Sequence, residues 1–191
     1  MKQSTSSSLK VPLQTSSPIY IGLLPSSVIG PIWVALSQLG LVAIDWSMSQ
    51  SDFTYQVQQR FHSDVVYDET RTAEPVRQLS EYLAGHRRQF NLPLDLNGMS
   101  PFQMQVLQLT ASIPYGQTST YKMIATQVGN PHSARAVGRV EATNPIPLVI
   151  PCHRVLGSDG SLHGYGGPGG IKLKAWLLNL ERTKVKKNMR A

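Results

Sequence analysis

The chain has 191 residues, 41% of them apolar and 15% charged, enough for one large domain or two small ones with a real core. Its one cysteine excludes an internal disulfide framework and a multi-cysteine zinc site, and no apolar run approaches membrane-spanning length. The net charge of +7 is uneven: seven basic and eight acidic residues stand up to Asp95, eleven and three after it. A basic excess confined to the second half points to a polyanionic partner, most simply nucleic acid. Lys184, Lys186, Lys187 and Arg190 form a basic C-terminal tail (184–191) that accounts for about half of that excess.

Residues 1–17 are rich in Ser, Thr and Gln and read as a disordered lead-in, without the apolar stretch of a signal peptide. Residues 18–97 then read as a small α+β domain. Tyr20–Leu24, Ile32–Leu36 and Leu41–Ile44 are short apolar segments separated by turn residues, which predicts an antiparallel meander. Phe53–His62 is open between strand and helix. Thr72–Leu83 sets Val76, Leu79 and Leu83 on one helical face, with Gly85 as the stop. Phe90, Leu92, Leu94 and Leu96 alternate and predict one more strand. This half holds no catalytic constellation, and His62 and His86 read as surface histidines.

Residues 98–183 read as a second, mainly helical domain. Ser100-Pro101-Phe102-Gln103 carries the signals of a capped helix start, with Phe102, Val106 and Leu109 buried. Thr118 is expected to cap a second helix bearing Tyr121, Ile124, Ala125 and Val128, ended by Gly129-Asn130-Pro131. A third helix runs from Ser133 to Ala142. The pair is a helix-turn-helix candidate. Small residues in the third helix (Ser133, Ala134, Ala136, Gly138) suit either close helix packing or close approach to a nucleic-acid backbone, with Arg135 and Arg139 between them. Leu148-Val149-Ile150 is expected to be a short buried extended segment. Leu173, Trp176, Leu177 and Leu180 define a closing amphipathic helix.

Chemistry centres on Pro151-Cys152-His153-Arg154-Val155. A lone cysteine is most often a small buried hydrophobe. Here His153 and Arg154 are expected to make the local field positive and favour the thiolate, the nucleophilic form. Glu181, read alone, is an exposed helix charge.

This motif resembles that of the O6-alkylguanine-DNA alkyltransferases (methylated-DNA–protein-cysteine methyltransferases). The likeness runs from about Ser100 to Glu181, through Ile113-Pro114-Tyr115-Gly116-Gln117-Thr118, Asn130-Pro131, Arg135-Ala136-Val137-Gly138, Asn144-Pro145-Ile146-Pro147, Gly164-Tyr165-Gly166-Gly167 and Trp176-Leu177-Leu178. It implies an α+β protein: a small ribonuclease H-like α/β domain, then a mainly helical domain with a winged-helix-like helix-turn-helix.

The activity implied is repair of O6-methylguanine, and also of O4-methylthymine, in double-stranded DNA by irreversible alkyl transfer to Cys152, once per molecule, after base extrusion through the minor groove. His153 would activate Cys152 through a water, Glu181 would orient His153, and Asn144 would tie the preceding turn to the cysteine segment. Tyr121 would donate to the purine. Arg135 would replace the extruded base, and Ser133, Ala134, Ala136, Gly138 and Arg139 would line the DNA. Val155, Tyr165, Gly166 and Pro147 would form the pocket, Val155 giving a backbone acceptor to the guanine amine and the Gly166 amide lying near O6, with glycine at 166 leaving more room than the hydroxyl residue of many relatives. The resemblance implies no cofactor and no metal, a monomer without membrane attachment, and a cytoplasmic place, nuclear in a eukaryote. Two other classes compete: a non-catalytic DNA-binding module, which the cysteine argues against, and a cysteine hydrolase, which leaves the basic helix-turn-helix unexplained.

Overall fold

The computed structural model describes residues 17–167 and 169–188. The lead-in, apart from Ser17, lies outside them, as do Pro168 and 189–191.

The alternation of the first apolar segments builds β1 (Ile19–Leu24), β2 (Ile32–Leu36) and β3 (Leu41–Asp45), joined as the expected antiparallel meander. The ambiguous segment is a helix, α1 (Gln50–Phe61), capped by the Ser49 side chain on the Asp52 amide. A strand absent from the sequence reading, β4 (Val65–Tyr67), pairs parallel with β1 and completes the order β3-β2-β1-β4. Three residues are too few for a period to register. Asp68 caps α2 (Glu69–Leu83), which begins a turn earlier than its apolar face suggests, and Gly85 follows with φ of 73°.

The pleat sends Ile19, Ile21, Trp33, Ala35 and Val42 onto Phe53 and Val57 of α1. The other face carries Ile32, Val34, Leu41 and Ile44 into the main core with Leu79 and Leu83 of α2. At Gly22 an added Cβ would lie 1.9 Å from Thr72 Oγ1, so only glycine allows α2 this close to β1.

The alternating leucines after Phe90 do not form a strand. Leu94 makes one bridge to Leu41, whose amide donates to Pro93 O and whose carbonyl accepts from Asp95 N. Pro93 has no amide to extend the ladder. The segment is an extended connector whose leucines pack on the shared core.

In the second half, α3 (Pro101–Ala111) starts with the full reciprocal capping box between Ser100 and Gln103. The cap of α4 (Tyr121–Gln127) is Thr120, not Thr118, because Ser119 and Thr120 form β5, paired parallel with β6 (Val155–Leu156). That pairing ties the mouth of α4 to the residues just after the cysteine. After Gly129, α5 (Ala134–Ala142) packs on α3 and α4.

The last helix, α6 (Gly170–Asn188), continues through most of the expected tail. Its buried stripe is Leu173, Lys174, Leu177, Leu178 and Glu181, while Trp176 is 37% exposed. The stripe lies about one position away from the expected one because a charged pair, not only leucines, turns inward. Among the described residues no helix is long and apolar enough to cross a membrane.

Candidate active site

Asn144 organises the approach to the cysteine. Its Nδ2 donates to Ile150 O at 2.8 Å and its Oδ1 accepts from the Ile146 amide at 3.0 Å. The β3 strand holds the same turn, Ile44 N donating to Pro145 O. The lead-in to the cysteine is therefore a turn rather than an extended segment. Pro147 bridges Ile150, and buried Leu148 sits at φ of 73°, the left-handed region that costs a branched residue about 1–3 kcal/mol. The turn delivers Cys152 into a short 3-10 segment, Cys152–Arg154, with His153 directed away from solvent.

Glu181, expected on its own terms at the surface, is fully buried and is the hub behind the cysteine. Its Oε1 accepts from His153 Nε2 at 2.9 Å, Tyr82 Oη at 2.7 Å and Arg154 Nη2 at 2.8 Å. Its Oε2 accepts from Arg154 Nε at 3.0 Å and the Gly116 amide at 2.9 Å. Burial alone would raise its pKa, but the hydrogen bonds from His153 and Arg154 outweigh burial and hold it at about 2.

Burial pushes the pKa of His153 below its ordinary value, against the pull of Glu181, so the ring is neutral near pH 7. A neutral ring bonded to a carboxylate through Nε2 carries its proton there, and Nδ1 is left with a lone pair. That Nδ1 is buried and has no protein hydrogen-bond partner among the described residues. The pair is a proton acceptor backed by a fixed negative charge.

The expected positive field on the sulfur is not there. The charge of Arg154 is consumed by Glu181, with Nη1 also donating to Ile113 O, and His153 is neutral. Burial first, and Glu141 second, push the Cys152 thiol up to about 12, with Asn144 and Lys174 opposing. The resting nucleophile is a thiol, so its proton must leave as the sulfur attacks.

In front of the sulfur lies a cavity of about 520 Å³, lined by Tyr121, Ala134, Arg135, Gly138, Tyr165 and Gly166 among others. Of the residues expected to line DNA, Arg135 and Arg139 are exposed, and Arg135 stands at the cavity rim with Lys122. Ser133 turns its hydroxyl back to Asn130 O at 2.7 Å. Gly138 faces the Tyr121 ring, where an added Cβ would make ordinary contact at 3.8 Å. Burial, then Glu141 and Cys152, push the Tyr121 phenol up to about 12, keeping it a donor. Burial first, and the nearby Cys152 thiol second, push the Tyr165 phenol well up, yet its hydroxyl has no hydrogen-bond partner at proper geometry among the described residues.

Two pocket expectations change. Glycine at 166 does not leave more room: an added Cβ would lie 2.1 Å from Ala142 O, so glycine lets the loop press onto α5. Pro147 lines a second cavity of about 430 Å³ beside Cys152, with Trp46 and Met48, rather than the first. Val155 is fully buried, and its carbonyl accepts from Lys174 Nζ at 2.7 Å, one of the two hydrogen bonds a carbonyl oxygen can take.

Sequence reasoning missed three participants. Lys174 is buried at 1% exposure, and its Nζ donates to Val155 O, Leu162 O and Tyr121 Oη. Its place four residues before Leu178, inside the apolar stripe, was the available signal. Tyr82 brings the first half, read as chemically empty, into the Glu181 hub. Glu141 is buried beside the thiol. His62 and His86 are exposed as expected.

A small sheet domain joined to a helix-turn-helix domain, with a buried cysteine and a histidine–carboxylate pair under a basic-rimmed cavity, defines a nucleic-acid-directed protein with a nucleophilic thiol. Two family models match: the 6-O-methylguanine DNA methyltransferase ribonuclease-like domain over residues 19–96 and the DNA binding domain of the same family over 101–183. The constitutive methylated-DNA–protein-cysteine methyltransferase of Bacillus subtilis is 40% identical over 151 residues, 79% of this chain and 86% of that protein. The Mycobacterium leprae protein of the same name is 50% identical over 113 residues, 59% of this chain and 67% of that protein. A crystal structure of Mycobacterium tuberculosis OGT in complex with DNA superposes with a TM-score of 0.73 at 38% identity, covering 86% of this chain and 94% of that one. The chain belongs to the 6-O-methylguanine DNA methyltransferase family.

Proposed function

We propose that this protein repairs DNA by moving the methyl group of O6-methylguanine onto Cys152, irreversibly and once per molecule. The observation that carries this is the Cys152 sulfur at a base-sized cavity, backed by a neutral His153 whose Nδ1 has no protein partner among the described residues while its Nε2 is pinned to Glu181. A buried polar nitrogen of this kind suits a bridging water.

In the step itself sulfur attacks the methyl carbon as the carbon–oxygen bond breaks. The thiol proton passes through the water to His153 Nδ1, and the electron pair leaves on guanine O6. Glu181 stabilises the imidazolium that results. Tyr121, held as a phenol, donates to the departing purine as negative charge spreads over it. The product is a thioether, and no group among the described residues of the site can remove its methyl group and restore the thiol, so one molecule repairs one lesion.

The target atom is hidden in a duplex, so the nucleotide must leave the stack. Arg135 at the cavity rim is placed to fill the gap it leaves, with α5 in the minor groove and Arg139 and Lys122 on phosphates. O4-methylthymine, smaller and of the same reactive geometry, is proposed as a second substrate. The protein is proposed to act as a monomer in the cytoplasm, where thiols stay reduced.

Incubation with an O6-methylguanine duplex and mass spectrometry should find one added methyl group, on the peptide bearing Cys152. Cys152→Ala should still bind DNA and gain nothing. Continued turnover of excess substrate would refute the single-use mechanism.

A further inference from the structure

Trp46 follows β3 in the first half and takes no part in the chemistry of the sulfur. Its ring nevertheless reaches out of that half onto the loop that walls the base pocket. A Cβ added at Gly167 would lie 2.5 Å from Trp46 Cζ2 and 3.0 Å from Cη2, so the outer edge of the indole rests on bare backbone. Trp46 is 8% exposed and belongs to the core that both halves share.

The turn that carries Trp46 is fixed on both sides. Asp45 Oδ1 accepts from the Ser47 amide at 2.7 Å, the Ser47 hydroxyl at 2.9 Å and the Met48 amide at 3.1 Å. Met48 O accepts from Trp33 Nε1 at 3.2 Å, and the Ile44 amide donates to Pro145 O. The indole is thus presented to the loop from a firm support.

The loop is gripped at two adjoining residues. Gly166 presses on Ala142 O of α5 and Gly167 on Trp46. Neither takes a left-handed φ, so what glycine supplies at both is closeness rather than backbone freedom. Tyr165, the residue before them, lines the cavity in front of Cys152. Its hydroxyl has no hydrogen-bond partner among the described residues, so packing sets where the ring stands. The loop also has room to move, since the second cavity, about 430 Å³, is lined by Trp46, Cys152, Gly166 and Gly167.

We propose that Trp46 is a positioning residue for alkyl transfer: the edge of its indole holds Gly167 while α5 holds Gly166, and together they keep Tyr165 in the wall of the base pocket. This rests on the cavity in front of Cys152 receiving the extruded base. With the edge removed, the loop relaxes toward the second cavity, Tyr165 leaves its place, and the base is held off line from the sulfur. A misplacement of about 1 Å costs about a hundredfold in rate, so a partial shift costs about tenfold.

The test is a double-mutant cycle on Trp46 and Gly167, read by single-turnover methyl transfer from an O6-methylguanine duplex at a temperature where circular dichroism shows every variant folded. Trp46→Phe keeps an aromatic ring in the core but lacks the Cζ2–Cη2 edge, and transfer falls about tenfold. Gly167→Ala alone drives a methyl group into that edge and loses a similar factor. In the double variant the methyl group takes the place of the missing edge, asking only a small shift of Tyr165 Cε1 at 3.1 Å, and transfer returns to within about threefold of wild type. Affinity for unmodified duplex is the same in all four proteins, since α5 and Arg135 keep their places. A loss from Gly167→Ala as large in Trp46→Phe as in wild type overturns the proposal, as does Trp46→Phe transferring at the wild-type rate. A fall in duplex affinity that matches the fall in rate also overturns it, since that marks damage to the DNA-binding helices. Wild type transfers in each of these cases and the repair function stands, whereas no transfer by wild type removes both.

Discussion

Replacing Glu181 by Gln isolates the charge at the centre of the site while keeping its shape. The carboxylate serves four groups, and Arg154, 6% exposed, depends on it for its counter-charge. Removing one partner of such a buried pair costs about 3–5 kcal/mol. A second route gives the same order. Lowering the carboxyl from 4.5 to about 2 corresponds to about 3 kcal/mol of preference for the charged form in the fold.

Against a domain stability of about 5–15 kcal/mol the variant still folds, with Tm lower by about 6–20 °C. The imidazolium formed during transfer loses its stabilising charge, so transfer should slow by about a hundredfold or more. The assay is single-turnover methylation of Cys152, read by mass spectrometry, at a temperature where circular dichroism shows the variant fully folded. Tyr82→Phe is the control, since it removes one hydrogen bond to Glu181 without touching the charge and should slow transfer only a few-fold. A folded Glu181→Gln protein that transfers within threefold of the wild-type rate would refute the proton relay.

Because the folded pKa of Glu181 is depressed, its stabilisation is full above about pH 4.5 and is lost as pH falls toward 2, so acid unfolding of wild type should be steeper than that of Glu181→Gln. Glu141 has the opposite sign. Its raised folded pKa gives a contribution present below 4.5 and lost as pH rises through about 7, so Glu141→Gln should raise Tm at pH 8 more than at pH 5. Ionised Glu141 also raises the thiol, so the wild-type transfer rate should decline above pH 7 and that of Glu141→Gln should not. Gly166→Ser should weaken both stability and transfer, since its Cβ meets the backbone of Ala142 and the loop must lift off α5; an active, equally stable variant would contradict that contact. Arg135→Ala should slow transfer from duplex DNA by tenfold or more but leave transfer from the free base O6-methylguanine unchanged, because its task ends once the base is extruded.

The meander, the capped start of α3 and the helix-turn-helix were legible because each rests on local signals: a two-residue alternation, a capping box, a glycine stop. The family, and through its motifs Cys152, His153, Asn144 and Tyr121, was legible for a similar reason, since the residues around the sulfur lie close along the chain. The errors arose where a local pattern met a distant competitor. The alternation of Phe90, Leu92, Leu94 and Leu96 yielded to Pro93 and the edge of β3, and Thr118 lost the cap of α4 to Thr120 because β6 draws Ser119 and Thr120 into a pair.

What the sequence alone determined was the set of groups: one thiol, its histidine neighbour, a basic helix pair and the order of elements that carries them. Their charge states were decided only by the tertiary structure. His153 and Arg154 look like a positive field in sequence, and become a neutral base and a spent cation once Glu181, 27 positions away from Arg154, is folded against them. Ionisation depends on burial and on neighbours across space, and neither is written in the spacing of residues along the chain.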